Sequence, residues 1–90
     1  MTTSIIGRTL GLDVGQRRIG LAICDPDGIL ATPYSTVTRR TLQEDIAAII
    51  AVVQAEEVRR IIVGLPLSLD GTLGPQAQRT LAFCDALRAG

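Results

Sequence analysis

The period of the hydrophobic pattern changes along this chain, and the change restricts what it can fold into. Leu10, Leu12 and Val14 alternate with Gly11 and Asp13, and Ile19, Leu21 and Ile23 alternate with Gly20, Ala22 and Cys24. Alternation at every second residue marks a strand with one buried face. Past Thr41, Leu42, Ile46, Ile49, Ile50 and Val53 recur at three- and four-residue spacing, one stripe of a helix. Arg60 to Leu65 is then a short, continuous apolar run, the pattern of a strand buried on both faces as in a parallel pair. From Pro75, well suited to the first position of a helix, Ala77, Leu81, Cys84 and Leu87 form the face of a second helix.

Turn residues divide the first part. Gly15-Gln16-Arg17 reads as a tight turn between strands Arg8 to Val14 and Arg18 to Asp25. Asp25-Pro26-Asp27-Gly28 is a second turn, since proline presets one dihedral and glycine accepts a positive one. A third strand runs from Ile29 to about Thr38, with Pro33 arguing for an edge position or a bulge. Thr41-x-x-Glu44 is a capping box that opens the first helix, which ends near Glu57. The order is β-β-β-α-β-α in a single α/β domain spanning residues 1–90. An antiparallel meander followed by a crossover helix lays the fourth strand parallel to the first. That pairing gathers Asp13, Gly15, Arg17, Arg18, Gly64, Pro66 and Asp70 on one rim, with Arg39 and Arg40 at the end of the third strand; Arg59 and Arg60 fall at the opposite end. Ligands of open α/β sheets bind at such a rim.

Composition removes most chemistries. Nine acidic and nine basic residues leave no net charge, so attraction to nucleic acid or to an acidic membrane has to be local. With no histidine there is no Ser–His or Cys–His dyad and no imidazole metal ligand. Every cation is arginine, so no Schiff base and no phosphate-loop lysine is available. What remains is carboxylate with metal, arginine with phosphate, or no catalysis. Tyr34 and Phe83 are the only aromatics, so an aliphatic core is expected. Cys24 and Cys84, far apart in apolar stretches, read as buried free thiols in a reducing cytoplasm. No signal peptide is expected at the N-terminus, and no apolar stretch approaches the ~18 residues of a membrane span.

Asp13 is the sharpest candidate. Aspartate is disfavoured inside strands, and a buried carboxylate needs a partner, a metal or solvent. The alternative is that Asp13 caps the Gly15 turn. The expectation is an inward-facing Asp13 sharing an edge with Arg17, Arg18, Arg39 and Arg40. The run from Gly11 to Gly20 also reads as a phosphate loop, or as glycines serving only the hairpin. Asp25 and Asp27 read as turn residues, Asp70-Gly71 as a turn and minor site candidate, and Glu44, Asp45, Glu56 and Glu57 as solvated helix charges.

Leu10-Gly11-Leu12-Asp13-Val14-Gly15-x-Arg17-Arg18-Ile19-Gly20-Leu21-Ala22 resembles the opening motif of the YqgF/RuvX family. Ile62-Val63-Gly64-Leu65-Pro66-Leu67-x-x-Asp70-Gly71-x-x-Gly74-x-Gln76-Ala77 resembles its second motif, about fifty residues on. The family comprises Holliday-junction-resolvase-like proteins and nucleases that process the 5′ end of precursor 16S ribosomal RNA. The resemblance implies a ribonuclease-H-like fold and phosphodiester hydrolysis by water activated on divalent Mg2+ or Mn2+. It makes Asp13 the first catalytic and metal-binding carboxylate and sets Arg17 and Arg18 against precursor rRNA or branched DNA; Arg39 and Arg40 are further nucleic-acid candidates. Gly11, Gly15, Gly64, Pro66, Asp70 and Gly71 support the two motifs.

The family's other acidic ligands come from a fifth strand and a later helix, so the resemblance implies a domain truncated before that strand. A single aspartate is then expected to give little or no nuclease activity. The fourth strand would present an open edge, which favours a homodimer. Two other readings fit the residues. One is a non-catalytic RNA-binding module using the four arginines. The other is the ATP-binding half of a sugar-kinase or actin-like protein, in which an Asp-x-Gly hairpin holds phosphate.

Overall fold

A computed structural model describes residues 7–25, 31–66 and 70–90. Strands β1 (Arg8–Val14), β2 (Arg18–Cys24) and β3 (Ala31–Thr38) pair antiparallel in succession, with Leu12 opposite Leu21 and Ile19 opposite Val37. Helix α1 (Leu42–Ala55) crosses over to β4 (Val58–Val63), and helix α2 (Pro75–Ala89) follows. β4 lies parallel to β1, so the sheet order is β3-β2-β1-β4. The meander and the parallel pairing are those the hydrophobic periods predict. The turn from Pro26 to Gly28, the start of the third strand at Ile29, and Leu67 lie outside the described residues.

Local chemistry accounts for the joints. Gly15 N donates to Arg18 O at 2.9 Å, and a Cβ on Gly15 would stand 2.9 Å from that carbonyl, so this turn needs a residue without one. At α1, Thr41 Oγ1 accepts from Glu44 N at 3.1 Å while Glu44 Oε1 accepts from Thr41 N at 3.4 Å. Such a cap stabilises a helix by about 1 kcal/mol. Pro33 has both features expected of it. β3 is an edge strand, and its pairing slips where Leu21 faces Ser35 and Ala22 faces Pro33, leaving Tyr34 as the extra residue.

Both helices cover the same face of the sheet. Leu10, Leu12, Val14, Ile19 and Leu21 meet Ile46 and Ile49 of α1 and Phe83 of α2. Burying each such side chain contributes roughly 1.5–3 kcal/mol. Among the described residues no helix covers the other face, on which Thr9 is buried beside Arg60 while Asp13 is exposed.

Several expectations need correction. β4 is not buried on both faces: Arg59, Arg60 and Ile62 are exposed, because only one side of the sheet carries helices. The buried face of α2 runs through Ala77, Thr80 and Phe83, and Leu81 is exposed. Thr80 is tolerated there because its hydroxyl donates to Gln76 O at 2.9 Å. The core is therefore not purely aliphatic. Leu42 is exposed at the start of α1, one turn short of the sheet. Cys24 and Cys84 are free, as expected, but half-buried rather than buried. Asp45 is not a solvated helix charge: it is 1% exposed.

Candidate functional site

Successive residues of a strand point to opposite faces. Leu12 and Val14 enter the core, so Asp13 between them projects onto the uncovered face, exposed rather than inward as expected. Among the described residues no side chain donates to its carboxylate, and it does not cap the Gly15 turn, which the Arg18 carbonyl closes. Solvent meets its charge. Asp13 stands in a shallow groove of about 480 Å³ whose floor includes Gly11, Gly20, Ala22 and Gly64.

That floor is bare without being cramped. A Cβ on Gly11 or Gly64 would lie 3.8 Å from the nearest backbone oxygen, and one on Gly20 would lie 3.8 Å from the Cβ of Asp13. These are ordinary contact distances, so packing within the described residues does not require glycine at these positions.

The rim assembles the four arginines named from sequence, but in different states. Arg17 is exposed in the β1–β2 turn, and Arg18, also exposed, opens β2 and pairs with Thr38 at the end of β3. Arg39 N donates to Arg17 O at 2.8 Å, which brings the two segments together. The Arg39 side chain turns under the sheet. Its Nε donates to Asp45 Oδ2 at 2.8 Å, its Nη1 donates to Gly15 O at 2.8 Å, and its guanidinium lies 5.3 Å from the centre of the Phe83 ring. Asp45 Oδ1 accepts from Arg40 N at 2.9 Å, so both carboxylate oxygens are bonded. Arg40 itself is exposed. Arg59 and Arg60 stand at the far end of the sheet, where Arg60 Nε donates to Thr9 Oγ1 at 3.4 Å.

The second motif splits. Gly64 N donates to Leu12 O at 3.0 Å, which extends the β4–β1 pairing past the last strand residue and sets Gly64 beside Asp13. Pro66, Asp70 and Gly71 are exposed and line neither the groove nor the cleft described next. Asp70 Oδ1 accepts from Thr72 N at 3.1 Å and Thr72 Oγ1 at 2.7 Å. These bonds hold its carboxyl below the usual range. Gly71 has φ +84°, a conformation that favours glycine.

The sequence places Gln76 in the second motif without a role and gives no role to Arg79. A cleft of about 420 Å³ lies between Gly15-Gln16, Arg39-Arg40 and the first turns of α2. Gln76 Nε2 donates to Val14 O at 3.1 Å, and Gln76 Oε1 accepts from Arg79 Nη2 at 2.9 Å. Gln76 thus ties α2 to the end of β1 and orients Arg79. The signal was available: Gln76 and Arg79 are three apart, on one helical face.

The divalent metal that the resemblance implies can be tested against these side chains. Asp13 offers one carboxylate on the open face, with Ser35 and Thr36 also lining the groove. Among the described residues no three acidic, histidine or cysteine side chains come together. Hard cations take six or more oxygens, so this donor set does not by itself fit a metal pair.

A mixed sheet in the order β3-β2-β1-β4, backed by helices on one face, defines an α/β protein of the ribonuclease-H-like class. A solved structure from Bacteroides thetaiotaomicron, a protein with an actin-like ATPase fold and unknown function, superposes with a TM-score of 0.57 over 93% of this chain and 30% of that one. At 12% identity this likeness shows the fold alone. The RuvX family profile, described as Holliday junction resolvase, matches residues 7–90, and the chain belongs to that family. A "Putative pre-16S rRNA nuclease" of Picosynechococcus is 46% identical over 78 residues, 87% of this chain and 54% of that protein. A protein of the same name from Anaeromyxobacter dehalogenans is 50% identical over 82 residues, 91% of this chain and 60% of that protein. The chain spans about half the length of the curated relatives it matches. Among the described residues no helix is long and apolar enough to cross a membrane.

Proposed function

We propose that the chain carries the first-strand half of a metal-dependent endonuclease site acting on structured nucleic acid in the cytoplasm, with the 5′ end of precursor 16S rRNA as substrate. The observation that carries this reading is Asp13, a carboxylate set on an exposed sheet face over a floor of glycine and alanine, where a phosphodiester can approach the backbone closely. Arg17, Arg18 and Arg40 are the phosphate contacts in this reading. Arg39 is occupied by Asp45 and Gly15 and serves as support. The names of the relatives favour the RNA substrate over a branched DNA. In this reading Asp13 would supply one oxygen ligand to Mg2+ or Mn2+; among the described residues no cluster of three acidic, histidine or cysteine side chains would complete the site.

The test is cleavage of precursor 16S rRNA and of a four-way DNA junction with either metal. A relative of full family length should cut the RNA, and lose that activity when the aspartate matching Asp13 becomes asparagine. The present chain should cut neither substrate above background. Metal-dependent turnover by this chain, abolished in Asp13→Asn, would show that one carboxylate suffices and overturn the account of the site.

A second reading, RNA binding without cleavage, is favoured by Asp13 standing without a cluster of acidic neighbours among the described residues. Salt-dependent RNA binding, with no cleavage by either the chain or the longer relative, would select it.

A further inference from the structure

We propose that the cleft between Gly15-Gln16, Arg40 and the start of α2 is a second phosphate seat, taking a backbone phosphodiester of the nucleic acid away from the bond that Asp13 faces. The proposal rests on the nucleic-acid reading above and adds Arg79 and Gln76 to it.

The charge of the cleft is one-sided. Arg39, Arg40 and Arg79 line it, and among the described residues no acidic side chain does. Asp45 neutralises Arg39 from behind, through Nε, and among the described residues neither Arg40 nor Arg79 forms an ion pair. Gathering like charges in a concave site is unfavourable unless an anion offsets them, and a concave wall focuses their field. Arg79 spends one guanidinium nitrogen on Gln76 Oε1, a bond that restricts its direction and leaves its other donors free. No side chain caps the first turn of α2, which opens at the same place, so its amides add to the positive field. The cleft's volume exceeds that of one phosphate group, which leaves space for the adjoining sugars.

The position separates this seat from the scissile bond. Asp13 and Val14 are neighbours on β1 that point to opposite faces, and the cleft is lined by Val14. A phosphate held here therefore lies across the rim from the Asp13 groove, with exposed Arg17 in the turn and Arg18 at the start of β2 beside it. A nucleic-acid strand reaching both places passes over that turn.

Binding of a short single-stranded RNA to the whole 90-residue chain tests this, by fluorescence anisotropy across salt and by amide chemical shifts. The expected result is shifts at Gly15, Gln16 and Gln76 and roughly tenfold weaker binding by Arg40→Gln/Arg79→Gln at low salt, with a salt slope lower by about one per lost contact. Arg40→Lys/Arg79→Lys should recover much of the affinity, and thermal melts confirm that both variants fold. RNA binding by the parent with unchanged affinity and slope in the glutamine variant, and no shifts at the three amides, would overturn the seat and leave the nucleic-acid reading on Arg17 and Arg18. No RNA binding by the parent at low salt would overturn both. Shifts with inorganic phosphate but none with RNA would overturn the backbone assignment in favour of a small anion.

Discussion

Arg39 and Asp45 meet in a 2.8 Å ion pair in which the aspartate is 1% exposed and the arginine side chain 26%. Six residues apart, they close the corner between β3 and α1. The arginine's remaining contacts reach the Gly15 carbonyl after β1 and the Phe83 ring on α2. One side chain thus links the strand that bears Asp13 to both helices.

Truncating either partner leaves the other charge poorly compensated. Asp45→Ala should cost about 3 kcal/mol, the usual scale for breaking a buried pair. In a domain of this size that lowers Tm by more than about 10 °C. Arg39→Ala should cost at least as much, because it leaves the buried Asp45 carboxylate with only the Arg40 amide and also removes the bond to Gly15 O. Urea denaturation of the two single variants and the double variant measures the coupling. A change under about 1 kcal/mol for Asp45→Ala would mean that the pair is incidental.

Tyr34 reports on a second clamp. Its hydroxyl donates to Glu56 Oε2 at 3.1 Å, and Arg8 Nη1 donates to Glu56 Oε1 at 2.7 Å. The hydrogen bond to Glu56, with smaller contributions from desolvation and the Glu56 charge, raises the phenol above its ordinary value of 10.0. A raised folded value means that this contribution is fully present below the unfolded value and is lost as pH rises through the folded one. Tyr34 is the only tyrosine, so phenolate absorbance titrates it alone. The midpoint should lie above 10.0 and fall back towards it in Glu56→Ala. An identical midpoint in both proteins would dissolve the clamp.

What the sequence disclosed and what it concealed divide along physical lines. The hairpin at Gly15, the capping box at Thr41 and the parallel pairing of β4 depend on local turn chemistry and on hydrophobic period, and both are written in neighbouring residues. The two-residue offset at the start of β4 arose because Arg59 and Arg60 are exposed and interrupt the apolar run. Asp45 was misread because Glu44 beside it is solvent-facing, although Asp45 stands four residues before Ile49 and so on the buried stripe. The state of Arg39 depends on three segments meeting in space, and no spacing along the chain encodes that. Asp13 was legible as a residue, and its face follows from Leu12 and Val14. The emptiness of that face does not, since it depends on which side the helices take.

The outer edge of β4 has no partner among the described residues, and Ile62 on it is 54% exposed. An open apolar edge pairs with another strand. Self-association through β4 is the expected behaviour, visible as a concentration-dependent mass in light scattering. Ile62→Lys should shift the chain towards monomer without lowering its Tm. A monomer at every concentration in the parent chain would remove the edge as an interface.

The glycine floor offers the sharpest separation between folding and function. Glycine within a strand costs roughly 0.5–1 kcal/mol relative to alanine. At Gly11 and Gly20 an added Cβ meets nothing nearer than 3.8 Å, so Gly11→Ala and Gly20→Ala should leave stability unchanged or raise it by up to that amount. The same methyl groups would stand in the groove beside Asp13 and obstruct close approach of a nucleic-acid backbone. Denaturant melts paired with RNA-induced shifts at the Asp13 amide separate the two effects. Higher stability with smaller shifts would show that the floor is held open for a ligand at the expense of the fold. Lower stability in Gly20→Ala would mean that packing within the sheet dictates glycine there, and the bare floor would cease to argue for a phosphodiester site.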